Sequence, residues 1–365
     1  MESSSAPIAG DDVPSELRPL FEALRNSPDV DRRLASLLRK LGSKVAPEGA
    51  RRLAVRLREH APDDMYVWSA TEPFIRTAVP SWHFEIVRDG RRNRTYDEAL
   101  RASVQHGSSV LEIGTGSGIL AMMAARAGAG HVYTIEIEPL LAEAARRNIA
   151  DNGFQDRITV INKDAMSVVG VDLPHRCDAV VHEIISSDLL AEGVLPLLNS
   201  ARANLLVPDA LYLPRHVAAH GMLIGDDVFD VGSTTQCQEG LSLSGLDRLG
   251  KKVRAKNGPL EIRYPLSLPS ELLRFDLACG AEARDANATV KMEVVGNGLA
   301  RGILQWISFS FPDGREYANP PDVASCWSLR LYPFAEPLPV SEGRQVEVHV
   351  QAIDDLLVVG PPLVR

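Results

Sequence analysis

Two glutamates nine positions apart, Glu183 and Glu192, lie in the segment His182-Glu183-Ile184-Ile185-Ser186-Ser187-Asp188-Leu189-Leu190-Ala191-Glu192. Upstream of them runs a glycine cluster, Glu112-Ile113-Gly114-Thr115-Gly116-Ser117-Gly118. A glycine-rich turn between a strand and a helix lets backbone approach a ligand closely and presents the unpaired N–H groups of a helix N-terminus, which suits a nucleotide-like cofactor. Paired carboxylates suit a flat cation beside it, and the combination fits methylation of a guanidinium. With a pKa above about 12 and its lone pairs delocalised, guanidinium is a poor nucleophile. Two acids bonded to different edges of its plane draw positive charge toward two nitrogens and leave the third better able to attack. They also offset repulsion between two cations in a shielded site. Glu183 and Glu192 are therefore the candidate catalytic and substrate-binding clamp. Proton loss can follow transfer, so the chemistry calls for neither a strong base nor a metal.

The spacing of the glycines bears on the cofactor. Gly114, Gly116 and Gly118 make GxGxG, with Ile119 standing where a nicotinamide fingerprint would want its third glycine, so an oxidoreductase is the weaker alternative. Glu136 closes the next expected strand 18 positions beyond Gly118, where such sheets use an acid to accept both ribose hydroxyls. With Val110-Leu111-Glu112 ahead of it, the turn resembles motif I of the S-adenosyl-L-methionine-dependent methyltransferases. That resemblance implies S-adenosyl-L-methionine as cofactor, with Glu112 attracting its ammonium and Asp164, Ala165 and Met166 gripping the adenine.

The double-glutamate segment resembles the signature of the protein arginine methyltransferases, most closely their monomethylating, type III branch. Glu183 through Pro196, Asn152-Gly153-Phe154 and Val160-Ile161-Asn162-Lys163 all look like that branch. His83-Phe84 and Asp89-Gly90-Arg91-Arg92-Asn93-Arg94-Thr95-Tyr96 resemble the family's pre-motif segment, which implies that Arg92 pairs with the cofactor carboxylate. Ser325-Cys326-Trp327 falls at the family's Thr-His-Trp loop, which implies that Trp327 helps shape the arginine pocket. Two departures stand out. Thr77-Ala78-Val79-Pro80-Ser81 replaces the family's aromatic pair, and Pro80 interrupts helix there, which puts the family's lid over the cofactor in question. Cys326 replaces the loop histidine.

The elements that must position these residues follow from hydrophobic periodicity. From Val13 to His60 leucines recur at spacings of three and four, giving three short amphipathic helices that must bury their stripes on the main body or on a second subunit. Between Ser109 and Leu213, apolar runs at Val110–Ile113, Val132–Ile135, Ile158–Ile161 and Ala179–Val181 alternate with helical stretches such as Gly118–Ala127 and Pro139–Asn152. This predicts an α/β, doubly wound Rossmann-like domain. After Pro214 short alternating stretches, Thr289–Val295, Ile303–Phe311 and Gln345–Ala352, predict an antiparallel β-barrel-like domain, with Ser244–Lys256 as an inserted excursion. The expected units are a helical region at 1–65, a cofactor domain at 66–213 and a substrate and dimerisation domain at 214–365.

Composition narrows the partners. The 365 residues are 45% hydrophobic and 24% charged, with no apolar run of about 18, so no membrane span is expected. Met1 to Leu20 carries acids and prolines rather than a leader pattern, which points to the cytoplasm. A net charge of −9 disfavours nucleic acid and favours a cationic substrate. Cys177, Cys237, Cys279 and Cys326 form no CxxC pair, so neither zinc nor a disulfide framework is expected. Seven lysines among 39 basic residues match coding regions rich in G and C, as in many bacteria. The substrate is L-arginine or an arginyl peptide; the bacterial composition, the altered lid sequence and the N-terminal helices favour the free amino acid. The chain is similar here to bacterial arginine N-methyltransferases that begin nitrosourea pathways. A homodimer is implied by the family resemblance, and a scaffold with a relic cofactor fold is the non-enzymatic alternative.

Overall fold

The computed structural model describes residues 8–41, 45–226, 237–239, 241–242, 254–280, 286–354 and 356–364. The first layer is helical: α1 (Arg18–Leu24), α2 (Val30–Leu41), α3 (Pro47–His60) and α4 (Met65–Arg76). Their leucine stripes bury one another. Leu17, Phe21, Leu34, Leu38, Leu53 and Leu57 meet Val67 and Ala70 of α4 in an apolar core separate from that of the rest of the chain. The expectation that these stripes would rest on the main body or on a partner is corrected, because α4 supplies the missing apolar face. Asp64 starts α4 by accepting the Tyr66 N–H at 2.9 Å. The chain then breaks around Pro80 before α5 (Trp82–Arg88), which has no buried residue. Next comes α6 (Gly90–Ser103).

The central layer is a five-stranded parallel sheet of β1 (Ser109–Ile113), β2 (His131–Glu136), β3 (Ile158–Asn162), β4 (Cys177–His182) and β5 (Leu206–Leu213), ordered β3-β2-β1-β4-β5. The intervening helices are α7 (Ile119–Ala127), α8 (Pro139–Asp151) and α9 (Val194–Asn204). The four expected strands lie inside β1 to β4. The fifth had no separate expectation, because Pro208 and Asp209 interrupt its apolar run and its two middle positions are exposed. The strand order reverses between β1 and β4, so the crevice beyond their carboxyl ends is the place for a ligand.

The last layer is antiparallel: β6 (His216–Ile224), β7 (Cys237–Gln238), β8 (Leu241–Ser242), β9 (Arg254–Lys256), β10 (Ser270–Asp276), β11 (Asn287–Glu293), β12 (Gly298–Ser310), β13 (Glu316–Ala318), β14 (Leu329–Val340), β15 (Gln345–Ile353) and β16 (Leu356–Val364). One sheet runs β10-β6-β12-β14-β9 with β13 on β12; another runs β11-β15-β16; β7 pairs with β8. Inward residues of the two larger sheets, including Phe275, Met292, Ile303, Ile307, Val346, Val348 and Val350, join the core of the parallel domain in one barrel-like arrangement. Most of the expected excursion at Ser244–Lys256 lies outside the described residues; its end is β9, paired with β14. No helix among the described residues is long and apolar enough to cross a membrane.

The separate helical core has a measurable consequence. Leu53 is fully buried there, so Leu53→Ala should cost about 2–5 kcal/mol locally. Hydrogen exchange should then quicken across α2 to α4 while β1 and β4 keep their protection.

Candidate active site

The glycine turn is built by backbone geometry. Gly114, Gly116 and Gly118 have φ of +83°, +52° and +81°, a region that side chains rarely adopt. The N–H groups of Gly114 and Thr115 both donate to the Ile135 carbonyl at 3.0 Å, which fastens the turn to the end of β2. A side chain at Gly114 would press on Ile184 at 3.1 Å, whereas at Gly116 it would meet open space. That space is a cavity of about 540 Å³ at the carboxyl ends of β1, β2 and β4. Its size lies in the usual range for a small-molecule site. Arg92, Glu112, Gly114, Gly116, Glu136, Asp164, Ala165, Glu183 and Glu192 all line it. Thr77, Ala78, Pro80, Trp82, His83, Ile86 and Val87 cover it, so the segment lacking the family's aromatic pair still supplies a roof.

Charge balance dominates the interior. Arg92 and Glu183 form a buried ion pair at 2.9 Å, their side chains 3% and 5% exposed. Arg92 also donates to Asn93 at 2.8 Å and lies over the Tyr96 ring at 4.9 Å. Burial pushes the Glu183 carboxyl up to about 7; Arg92 opposes that rise and Glu192 adds to it. Glu192 is exposed as a residue, yet the partial desolvation of its carboxyl raises it too. Glu112, 1% exposed, accepts from the Thr134 hydroxyl at 2.5 Å, and burial pushes it up to about 8 against the pull of Thr134 and Arg92. Its Oε1 and the Nε of Arg92 are both buried without a hydrogen-bond partner. An orphan acceptor and an orphan donor in one cavity match the two ends of a zwitterion. Glu136 is held flat: Gly116 N–H donates to one oxygen and Glu138 N–H to the other, each at 2.9 Å.

The barrel holds the loop that carries the two glutamates. Trp327 donates its indole N–H to the Ile185 carbonyl at 2.6 Å. Ser328 N–H reaches the Ser187 hydroxyl at 2.9 Å, Gln305 reaches the Ser187 carbonyl at 3.2 Å, and Arg330 pairs with Asp188. Within the loop, buried Leu189 takes a φ of +69°, a strained value for a branched side chain that these four ties hold in place. Asp89 joins the domains at the other side. It caps α6 through the Arg92 N–H at 2.9 Å and accepts from the Tyr317 hydroxyl at 2.6 Å and the Cys326 N–H at 3.2 Å.

Three expected residues do not line the cavity. Gly118 sits one step behind it, where a side chain would meet Ile149 and Ala145 of α8. Met166 is half exposed, although Asp164 accepts its N–H at 2.9 Å. Trp327 is buried edge-on against the stacked rings of Phe309 and Tyr317 and braces the loop from behind. Other residues at the site carried no sequence expectation. Asp89 is legible as a helix cap, an acid just before a helical stretch. Thr134 becomes meaningful only once the parallel register sets it opposite Glu112. Tyr96, whose hydroxyl donates to the His182 carbonyl at 2.9 Å, and Tyr317 gave no local signal. Among the described residues, no group of His, Cys, Asp and Glu is arranged to hold a metal ion.

Residues 97–210 match the ribosomal protein L11 methyltransferase (PrmA) family. The chain is 36% identical over 284 residues to an arginine N(omega)-methyltransferase of Streptomyces achromogenes subsp. streptozoticus, covering 75% of this chain and 77% of that one. It is 39% identical over 259 residues to protein arginine N-methyltransferase 7 of Drosophila grimshawi, covering 64% of this chain but only 36% of that longer protein. In structure it is similar to the Trypanosoma brucei PRMT1 enzyme-prozyme complex with AdoHcy, with a TM-score of 0.66, 24% identity, and coverage of 74% of this chain and 89% of that one. Arabidopsis thaliana protein arginine methyltransferase 10 gives a TM-score of 0.65 at 20% identity, with coverage of 76% and 89%.

The raised carboxyls set a pH dependence in the absence of ligand. A Glu112 held at about 8 in the fold, against about 4.3 in an unfolded chain, keeps its proton longer when folded. Its contribution to stability is complete below the lower value and is lost as pH rises through the higher one. The melting temperature should therefore drop between about pH 4 and pH 8, and Glu112→Gln should flatten that drop. Equal slopes for the two proteins in a melting series would contradict the assignment.

Proposed function

The chain belongs to the arginine N-methyltransferase family, and on that premise we propose that it methylates the guanidinium of free L-arginine to N-omega-monomethyl-L-arginine, using S-adenosyl-L-methionine. The observation that carries this reading is the shared cavity, lined by Glu112, Arg92, Glu183 and Glu192, with Glu112 Oε1 and Arg92 Nε left without a hydrogen-bond partner. When bound, S-adenosyl-L-methionine supplies an electrophilic methyl carbon on a sulfonium. Glu112 would hold its ammonium, Arg92 its carboxylate and Glu136 its ribose hydroxyls. The turn through Gly114 and Gly116 gives close backbone approach, with Gly118 packed behind it on α8, and Asp164 and Ala165 would face the adenine while Met166 stays outside the cavity lining.

Glu183 and Glu192 would grip two edges of the guanidinium, polarise it and aim the third nitrogen, with positioning as the main source of acceleration. Trp327 contributes by fixing Ile185, and through it the start of the loop. Free arginine is favoured by the name of the Streptomyces relative, the one with the more even coverage, and by the acidic chain. A protein-arginine substrate is the second reading, favoured by the Drosophila relative's name. The reading places a homodimer in the cytoplasm of a bacterium, making a natural-product precursor. The division of labour is helices through α4 to residue 76 rather than to 65, because Val67 and Ala70 belong to the helical core, then a cofactor domain to 213 and a substrate and dimer domain beyond.

Incubating the protein with labelled cofactor and either L-arginine or an Arg- and Gly-rich peptide, followed by mass spectrometry, should give monomethylated free arginine. Methylation of the peptide alone would reverse the choice of substrate. Glu183→Gln and Glu192→Gln should each lower turnover on the order of a hundredfold or more while keeping cofactor affinity. Near-normal turnover in both would remove the clamp.

A further inference from the structure

The N-terminal helical unit has its own apolar core, yet it reaches the cofactor side of the cavity through charged side chains. Arg51 of α3 pairs with Glu138 at 3.1 Å, with the two side chains 28% and 17% exposed. One end of α3 further on, Glu59 pairs with Arg147 of α8 and is held by Arg56 at 2.8 Å, which in turn meets Asp12 at 3.2 Å. Arg51 to Glu59 spans about 12 Å along a helix and Glu138 to Arg147 about 13 Å, so the two helices are joined in parallel at both ends.

What α8 does makes that attachment consequential. Glu138, its N-cap, lines the cavity, and its N–H fixes one oxygen of Glu136. Asn148 donates to the Ser117 carbonyl at 2.9 Å, and Ala145 and Ile149 back Gly118. Leu141 lines the cavity as well. One helix therefore sets the ribose acid, the glycine turn and part of the wall. The same helical unit leads through α4 into the roof at Thr77, Ala78 and Pro80.

We propose that α3 is a positioning element of the cofactor site, in which Arg51, acting through Glu138, and Glu59, acting through Arg147, hold α8 and the roof in register on either side of the cavity. This rests on the cavity being the S-adenosyl-L-methionine site. The interface between the helical unit and α8 is ionic, so it is sensitive to salt, unlike the apolar cores on either side.

The test measures binding of S-adenosylhomocysteine by calorimetry, and its dissociation by stopped flow, in the full-length protein. Arg51→Gln combined with Arg147→Gln should weaken binding about three- to tenfold, mostly through faster dissociation, as two partly exposed pairs allow. Arg51→Lys should recover most of the loss for its pair. Raising NaCl from about 0.05 to 0.5 M should weaken the wild type toward the double variant, whose own response is flatter. In turnover, KM for the cofactor should rise while kcat and KM for arginine stay put. A double variant with wild-type affinity and salt response overturns the proposal, as does a wild type indifferent to salt. A wild type that binds no S-adenosylhomocysteine overturns instead the cofactor reading on which the proposal stands.

Discussion

The Arg92–Glu183 ion pair is the interaction on which the site depends. The cavity gathers Glu112, Glu136 and Glu183 around this one buried arginine, with Glu192 at the edge. Buried carboxylates are stable only if paired, bonded or protonated, and each one here has a different solution. Glu183 has Arg92, Glu136 has two backbone N–H groups, and Glu112 has a threonine hydroxyl with a pKa raised to about 8. The cavity lining is thus short of positive charge. It is electrostatically prepared for cationic ligands, and each cation that enters takes the place of a proton or relieves a repulsion.

Holding that pair in place requires three parts of the fold. Asp89 starts α6 and so aims Arg92, while the same carboxylate is tied to Tyr317 and Cys326 of the β domain. Tyr96, one turn further along α6, grips the His182 carbonyl beside Glu183. The barrel then fixes the loop between the two glutamates at Ile185, Ser187 and Asp188. The β domain is accordingly a mould for an otherwise strained loop, which explains why a methyl-transfer domain of this kind needs a second layer at all.

Much of this was legible in sequence where the signal is local. Strands β1 to β4, the glycine turn and the three leading helices follow from periodicity and backbone demands that neighbours in the chain impose. Glu136 was identifiable from its spacing beyond the turn and the two glutamates from their pairing downstream of it, whereas Arg92 and Glu112 were reached through family resemblance. What was not legible is tertiary. Trp327 was placed in the substrate pocket by resemblance, but it donates to a backbone carbonyl 142 positions away from behind the loop. The leading helices gave correct stripes and no indication that α4 would complete their core, since amphipathic periodicity says that a face is buried and not against what. Thr134 and Tyr317 matter only through register and packing across the domains.

The same geometry bears on where the substrate proton goes. His182 adjoins Glu183, but burial pushes its imidazole down to about 3, leaving it neutral and without a role as proton acceptor near neutral pH. Cys326, at the position of a family histidine, has its thiol pushed upward by burial and by the neighbouring Glu183 and Asp89, so it stays protonated. Tyr317 is raised as well. Glu183 lines the cavity, and burial pushes its carboxyl up to about 7. A general acid–base group works best with a pKa near the operating pH. In the proposed reaction Glu183 is then the natural first acceptor of the proton released after transfer. The burial that makes Glu183 expensive to fold also suits it to the last step.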